Sequence, residues 1–329
     1  MAARRTNGFT MVEMLVAVGI LGIVVAGVME TFVVQNRAYT VVDATTESQQ
    51  NRRAISYLIE RDLRATGFMV EEGASACGID NTNQPDTLFV TDPEPINPAG
   101  ARTATLGANV NSGYTYTVSE KWLVVDDVVI DRDAGANAGF FSVAGPNDSD
   151  FQIGRGAILV NTANPAAGTA CGLITDVDPA GNRVRVDFIN RIPVAGTLVL
   201  VPAVGYSVDA NSRLLRNGLA LATDVEDMQV AYFIDGNQDG RVTTASEYPG
   251  SDTAPAAYSA EGTNHSNLRE VRFNIVVRSR NADPTYTDGF VQATENRGAV
   301  GVADGFRRRV FTSTVRPRNV GYRGVQASG

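Results

Sequence analysis

The chain has 329 residues, 43% hydrophobic and 19% charged, and 28 basic against 36 acidic residues leave a net charge of −8. That composition excludes a disordered tail and an all-membrane protein, and the acidic balance argues against a broad surface for nucleic acid, so no nucleic-acid partner is expected. One histidine, His265, and one lysine, Lys121, leave little material for general-base catalysis, a phosphate-cradling loop or a zinc site. No enzymatic activity is expected.

The segment Met1–Gly8 carries Arg4 and Arg5 and no acid; an apolar run broken only by Glu13 follows, and Met14–Met29 is uncharged throughout. As a helix, Phe9 to Met29 would span about 31 Å, enough to cross a bilayer. The two arginines hold its start in the cytoplasm and send the rest across. A cleaved secretory signal has a shorter apolar stretch and a small-x-small cleavage site after it, and neither is found here. A plain signal anchor gives Glu13 no purpose. A carboxylate at a membrane-helix centre costs roughly 2.5–3.5 kcal/mol, so an acid placed there reads as functional.

The run Gly8-Phe9-Thr10-Met11-Val12-Glu13-Met14-Leu15 resembles the processing site of type IV prepilins and type II secretion pseudopilins. The resemblance implies that a membrane peptidase cuts after Gly8 and methylates the new amino terminus at Phe9. It also implies that Glu13 pairs with the Phe9 amine of a neighbouring subunit in a filament. Such pairing has a physical reason, because an unpaired carboxylate or ammonium is costly in a dry helix bundle whereas a pair is tolerated. Glu13 snorkelling to headgroups is the bland alternative.

Beyond the apolar run, Ile55, Leu58, Ile59 and Leu63 restore a 3–4 spacing with charges on the other side, and Gly67 supplies a stop. The pattern predicts one helix from Phe9 to Thr66. From Phe68 onward it changes to strands: Arg183–Phe188 and Val271–Ile275 alternate cleanly, and further strands are predicted at 114–118, 122–130, 156–160, 173–177, 198–201, 230–234 and 310–315. Segments 92–113, 134–150 and 244–267 read as loops. The strings Asp62-Leu63-Arg64-Ala65-Thr66-Gly67-Phe68, Tyr206-Ser207-Val208, Arg213-Leu214-Leu215-Arg216-Asn217-Gly218, Val225–Tyr232 and Arg308–Val315 are similar to the PilW family of type IV pilus minor pilins, with the second and third in a hairpin. A J-type minor pseudopilin shares the hairpin style.

Asp235, Asn237 and Asp239, with Gly240 after them, open like a calcium loop, although position 12 is Ser246 and Glu247 falls at 13. The same residues also suit a polar turn. Ca²⁺ is thus a candidate ligand, and no cofactor is required. Cys77 and Cys171 lie 94 positions apart; in an extracytoplasmic body a disulfide is permitted, and a metal pair lacks partners. Arg307, Arg308 and Arg309 alternate faces if they form a strand, so they cannot make a single patch, and a charged sheet edge is expected rather than a docking surface. His265 reads as a solvated loop residue.

The expected fold is α+β and pilin-like: a leader at 1–8, a long helix at 9–66 whose residues 9–29 are transmembrane or filament core, and at 67–329 a large antiparallel sheet-rich globular domain on which the helix packs. The resemblance implies a minor pilin that takes part in type IV pilus assembly or priming, in a tip complex, supporting adhesion and twitching motility. Its partners would be a prepilin peptidase, other major and minor pilins, a tip adhesin, and inner-membrane lipid before assembly. The body would face the periplasm and reach the cell surface in the pilus. A type II secretion minor pseudopilin is the alternative, and a membrane-anchored periplasmic enzyme a more distant one.

Overall fold

The structure is a computed structural model that describes residues 10–67, 70, 72–81, 83–91, 104–106, 114–115, 120–126, 152–161, 169–178, 183–188, 193–194, 198–235, 241–242, 267–283, 286–287, 289–302 and 304–320. Its contacts divide the chain into two units, Met1–Gln50 and Asn51–Gly329. The boundary falls inside one continuous helix, α1 (Met11–Ala65).

In the first unit α1 carries a 26-residue apolar span, Met11–Asn36, with a mean hydropathy of 2.5. At 1.5 Å per residue it is about 39 Å long, more than a hydrocarbon core requires. In the second unit Ile55, Ile59 and Leu63, each four residues apart, are at most 2% exposed. This spacing lines one face, and each such side chain contributes roughly 1.5–3 kcal/mol on full burial. The helix stops where Gly67 takes φ +79°, and a Cβ there would collide with the Val320 side chain. Its last carbonyls are satisfied by the chain's end: Asn319 Nδ2 donates to Ala65 O at 3.1 Å and to Thr66 O at 3.3 Å, and Arg318 N donates to Arg64 O at 3.2 Å.

The body's strands begin with β1 (Ala76–Ile79), β2 (Thr87–Thr91), β3 (Ala104–Leu106), β4 (Tyr114–Thr115) and β5 (Glu120–Asp126). They continue with β6 (Gly156–Asn161), β7 (Thr169–Asp178), β8 (Arg183–Phe188), β9 (Pro193–Val194) and β10 (Leu198–Val208). Segment 92–113, expected as a loop, therefore supplies β3; three residues are too few to raise a periodic signal. The eleven-residue β10 pairs antiparallel with β6 over Leu198–Ala203 and, on its other edge, with β3 and then β2. Because β3 pairs β5, β5 pairs β8, β8 pairs β7 and β7 pairs β6, the antiparallel ladder returns to β10 and closes a six-stranded ring. Closure removes the exposed edges of those strands.

A hairpin, β11 (Arg213–Arg216) and β12 (Leu219–Thr223), turns at Asn217-Gly218, both with positive φ, and β11 pairs the end of β10. A separate antiparallel sheet is formed by β13 (Val225–Ile234), β14 (Leu268–Arg278) and β17 (Arg308–Val315), while β15 (Phe290–Val291) pairs β16 (Val300–Gly301). One apolar cluster joins Ile55, Ile59 and Leu63 to Leu88, Val204, Tyr206, Met228, Phe273 and Val315, so the helix, the β2–β10 side and the three-stranded sheet share a core. A second cluster, with Phe89, Ile158 and Val201, contains Cys77 and Cys171.

Candidate functional site

At the start of α1, Thr10 and Glu13 form a reciprocal cap. Thr10 N and Oγ1 donate to Glu13 Oε2 at 2.9 and 3.0 Å, and Glu13 N donates to Thr10 Oγ1 at 3.3 Å. This is the Thr-x-x-Glu capping box, whose signal is present in the sequence; reading Glu13 only as a membrane acid passed over it. Helix-start amides that would be orphaned in a dry bundle are thereby engaged. The processing residues Gly8 and Phe9 lie outside the described residues. Downstream, the apolar side chains stand bare, with Met11 84%, Leu15 70% and Ile23 76% exposed. A patch of that extent needs lipid or other helices to cover it.

At the other end of the helix the structure brings together three of the strings read separately along the chain. Asp62, wholly buried, accepts a hydrogen bond from Tyr206 Oη at 2.6 Å and two from Arg216, Nε at 3.1 Å and Nη2 at 2.9 Å, all at Oδ2. Arg61 Nε donates to Oδ1 at 3.1 Å, and Arg216 Nε also reaches the Tyr206 hydroxyl at 3.2 Å. Burial, then the Asp62 charge and hydrogen bond, push the Tyr206 hydroxyl well above the usual phenol range, so it stays a donor. The partners lie 144 and 154 positions away in sequence. Thr66, four residues on, donates to Ser75 O and accepts from Thr91 N at 3.1 Å, fastening the helix end to the residue that follows η1 (Glu72–Ala74) and to β2. The arrangement is a polar lock between helix, β10 and hairpin.

Cys77 on β1 and Cys171 on β7 are joined in a disulfide with Cα atoms 6.1 Å apart, and neither is exposed. The bridge ties β1, at one end of the sheet path, back to the closed ring. Of the calcium-loop residues only Asp235 is described. Its Oδ2 accepts from Arg269 Nε at 2.9 Å and Nη2 at 2.7 Å. Asn237 and Asp239 lie outside the described residues, as does His265. The arginine run divides: Arg307 pairs with Asp283 at 3.0 Å and lies over the Tyr286 ring, whereas Arg308 is held by Glu226 and Asp304. Arg309 is exposed. Arg308 thus turns away from the exposed Arg307 and Arg309 on either side of it, as the strand period requires.

Residues 201–319 match the family described as Type IV Pilus-assembly protein W, and residues 3–29 match the prokaryotic N-terminal methylation motif. The first match contains Tyr206, Arg216 and the three-stranded sheet, and the second contains the capping box and the apolar span as far as Met29. No curated protein matches the chain. Among solved structures, a type IV-like pilin from Thermus thermophilus is 10% identical over 85% of this chain and 98% of its own, with a TM-score of 0.30, at which the two folds are not equated.

Proposed function

We propose that this chain, a type IV pilus minor pilin of the PilW family, acts in the assembly and priming of the pilus, within a tip complex, and supports adhesion and twitching motility through it. The observation that carries the reading is the exposed apolar span Met11–Asn36 with Glu13 at its head. In a membrane it is solvated by lipid. In a filament it exchanges lipid for the helices of neighbouring subunits, where Glu13 meets the Phe9 ammonium left by leader removal. The polar lock at Asp62 supports the same reading, since it fixes a rigid body to the lower helix without building a reaction centre. Before assembly the helix anchors the chain in the inner membrane with its body in the periplasm.

The test separates the pairing role of Glu13 from its capping role. Glutamine serves at the third position of a capping box, so Glu13→Gln keeps the cap and removes the charge. Pairing predicts that E13Q lowers the chain's recovery in sheared pili by at least about tenfold, because a lone buried ammonium is left behind, while its level in the membrane is unchanged. Wild-type recovery of E13Q would reduce Glu13 to a cap. In a deletion strain, lost piliation and twitching with intact protein secretion supports the pilus machine, and the opposite pattern assigns the chain to secretion.

A further inference from the structure

Around the β1–β2 connection the body closes a ring of polar contacts that neither the lock nor the helix uses. Asp227 Oδ1, on β13, accepts a hydrogen bond from Gln229 Nε2 at 3.0 Å, and the same Nε2 donates to Gln84 O at 3.0 Å. Two residues on, Asp86 docks against β13: its N donates to Met228 O at 2.7 Å, and its carboxylate accepts from Val230 N and Asn81 N, each at 2.8 Å. Asp80, beside Asn81, accepts from Asn296 Nδ2. Arg297, next to Asn296, returns to Asp227 Oδ1 as an ion pair at 2.7 Å, which closes the circuit.

Two features of this ring point to a missing positive charge. Three carboxyl groups share one guanidinium, and Asp86 and Asp227 are each only 2% exposed, so acids outnumber the cation where water is excluded. Independently, three members of the ring carry buried oxygens that meet no donor: Asp227 Oδ2, Gln229 Oε1 and Asn296 Oδ1. Gln229 has no exposed surface, and its amide orientation is fixed by the two bonds of its nitrogen. The Thr294 hydroxyl, on the residue whose backbone exchanges two hydrogen bonds with Arg297, is also unpartnered. Buried acceptors in native proteins are normally satisfied, by an ion or water where the protein supplies no donor.

All of these atoms are carboxylate, amide or hydroxyl oxygens, the ligand set of a hard cation of the calcium class. Among the described residues no three acids, histidines or cysteines gather to hold a metal by themselves. Amide oxygens and water must therefore complete the coordination, which places the affinity among weak extracellular sites. We propose that Asp227 Oδ2, Gln229 Oε1 and Asn296 Oδ1 bind a calcium-class cation, at a position distinct from the 235–239 loop, and that the ion fastens the β1–β2 connection to β13.

Calorimetric titration of the full chain in detergent micelles with calcium chloride tests this. The expected result is saturable binding with Kd about 10⁻⁴–10⁻³ M and a melting temperature that rises with calcium. Asp227→Asn should weaken binding at least tenfold, and Asp239→Asn, in the other loop, should leave it unchanged. Absence of saturable binding in the wild type, its survival in D227N, or its loss in D239N overturns the assignment. Should D227N fail to give the wild-type circular dichroism, Gln229→Met carries the same expectation, and undiminished calcium binding by folded Q229M overturns it equally.

Discussion

Replacing Asp62 by asparagine should unfold the body far more easily than its single-atom change suggests. The carboxylate accepts hydrogen bonds from Tyr206, twice from Arg216 and once from Arg61, and it is wholly buried. Asp62→Asn leaves the Arg216 guanidinium, only 26% exposed, without its anion. Breaking a buried pair costs about 3–5 kcal/mol, and the residual access of Arg216 to water places this case near 3 kcal/mol. Tyr206→Phe removes one charge-assisted bond but leaves Asp62 paired, for a loss of about 1.5 kcal/mol. Because both changes act on Oδ2, the double variant should cost less than the sum, with a coupling of about 1 kcal/mol. Converting all three to apolar residues, Asp62→Leu with Tyr206→Phe and Arg216→Met, should recover most of the loss, since no buried charge is then stranded. The assay is denaturant unfolding of the full chain in micelles, followed by the circular dichroism of the sheets. A D62N loss below about 1 kcal/mol, or additive single losses, would refute the reasoning.

Removing the bridge with Cys77→Ala and Cys171→Ala should lower stability by at most about 4.7 kcal/mol, the chain-entropy limit for a loop of this size, and reductant should produce the same shift in the wild type but none in the variant. With chelator present, body stability should fall as pH rises from about 4 to about 8. Asp86 has a folded pKa pushed up to about 8 by burial, opposed by the Asn81 and Val230 amides and reinforced by Asp80 and Asp227, so the folded state holds a proton that the unfolded chain has released. One such group gives a slope of about −1.4 kcal/mol per pH unit over that window, and Asp86→Asn should remove it in pH-dependent melting.

The amino-terminal helix was legible because sixteen consecutive uncharged residues, Met14–Met29, allow few other structures. Strands with one wet face were legible too. Arg183–Phe188 is β8 to the residue, and Val271–Ile275 lies within β14. By contrast, β1 and β2, Ala-Cys-Gly-Ile and Thr-Leu-Phe-Val-Thr, are buried almost throughout, so they show no alternation to read. Ring closure through β6 and β10 depends on long-range pairing that leaves no local mark. The lock illustrates the same limit: its strings were each visible, but their meeting at Asp62 is a property of the fold. At Asp235 the spacing suggested a metal ligand; its carboxylate accepts from Arg269, and its companions Asn237 and Asp239 lie outside the described residues. The ring at Asp80, Asp86 and Asp227 escaped notice because its members come from three segments, each unremarkable alone.

The most direct measurement is the intact mass of the chain recovered from cells with and without an active prepilin peptidase. The account predicts that with the peptidase the chain lacks Met1–Gly8 and begins at a methylated Phe9, and that without it the leader remains. A chain that keeps Met1–Gly8 while the peptidase is processing its other substrates would contradict the account.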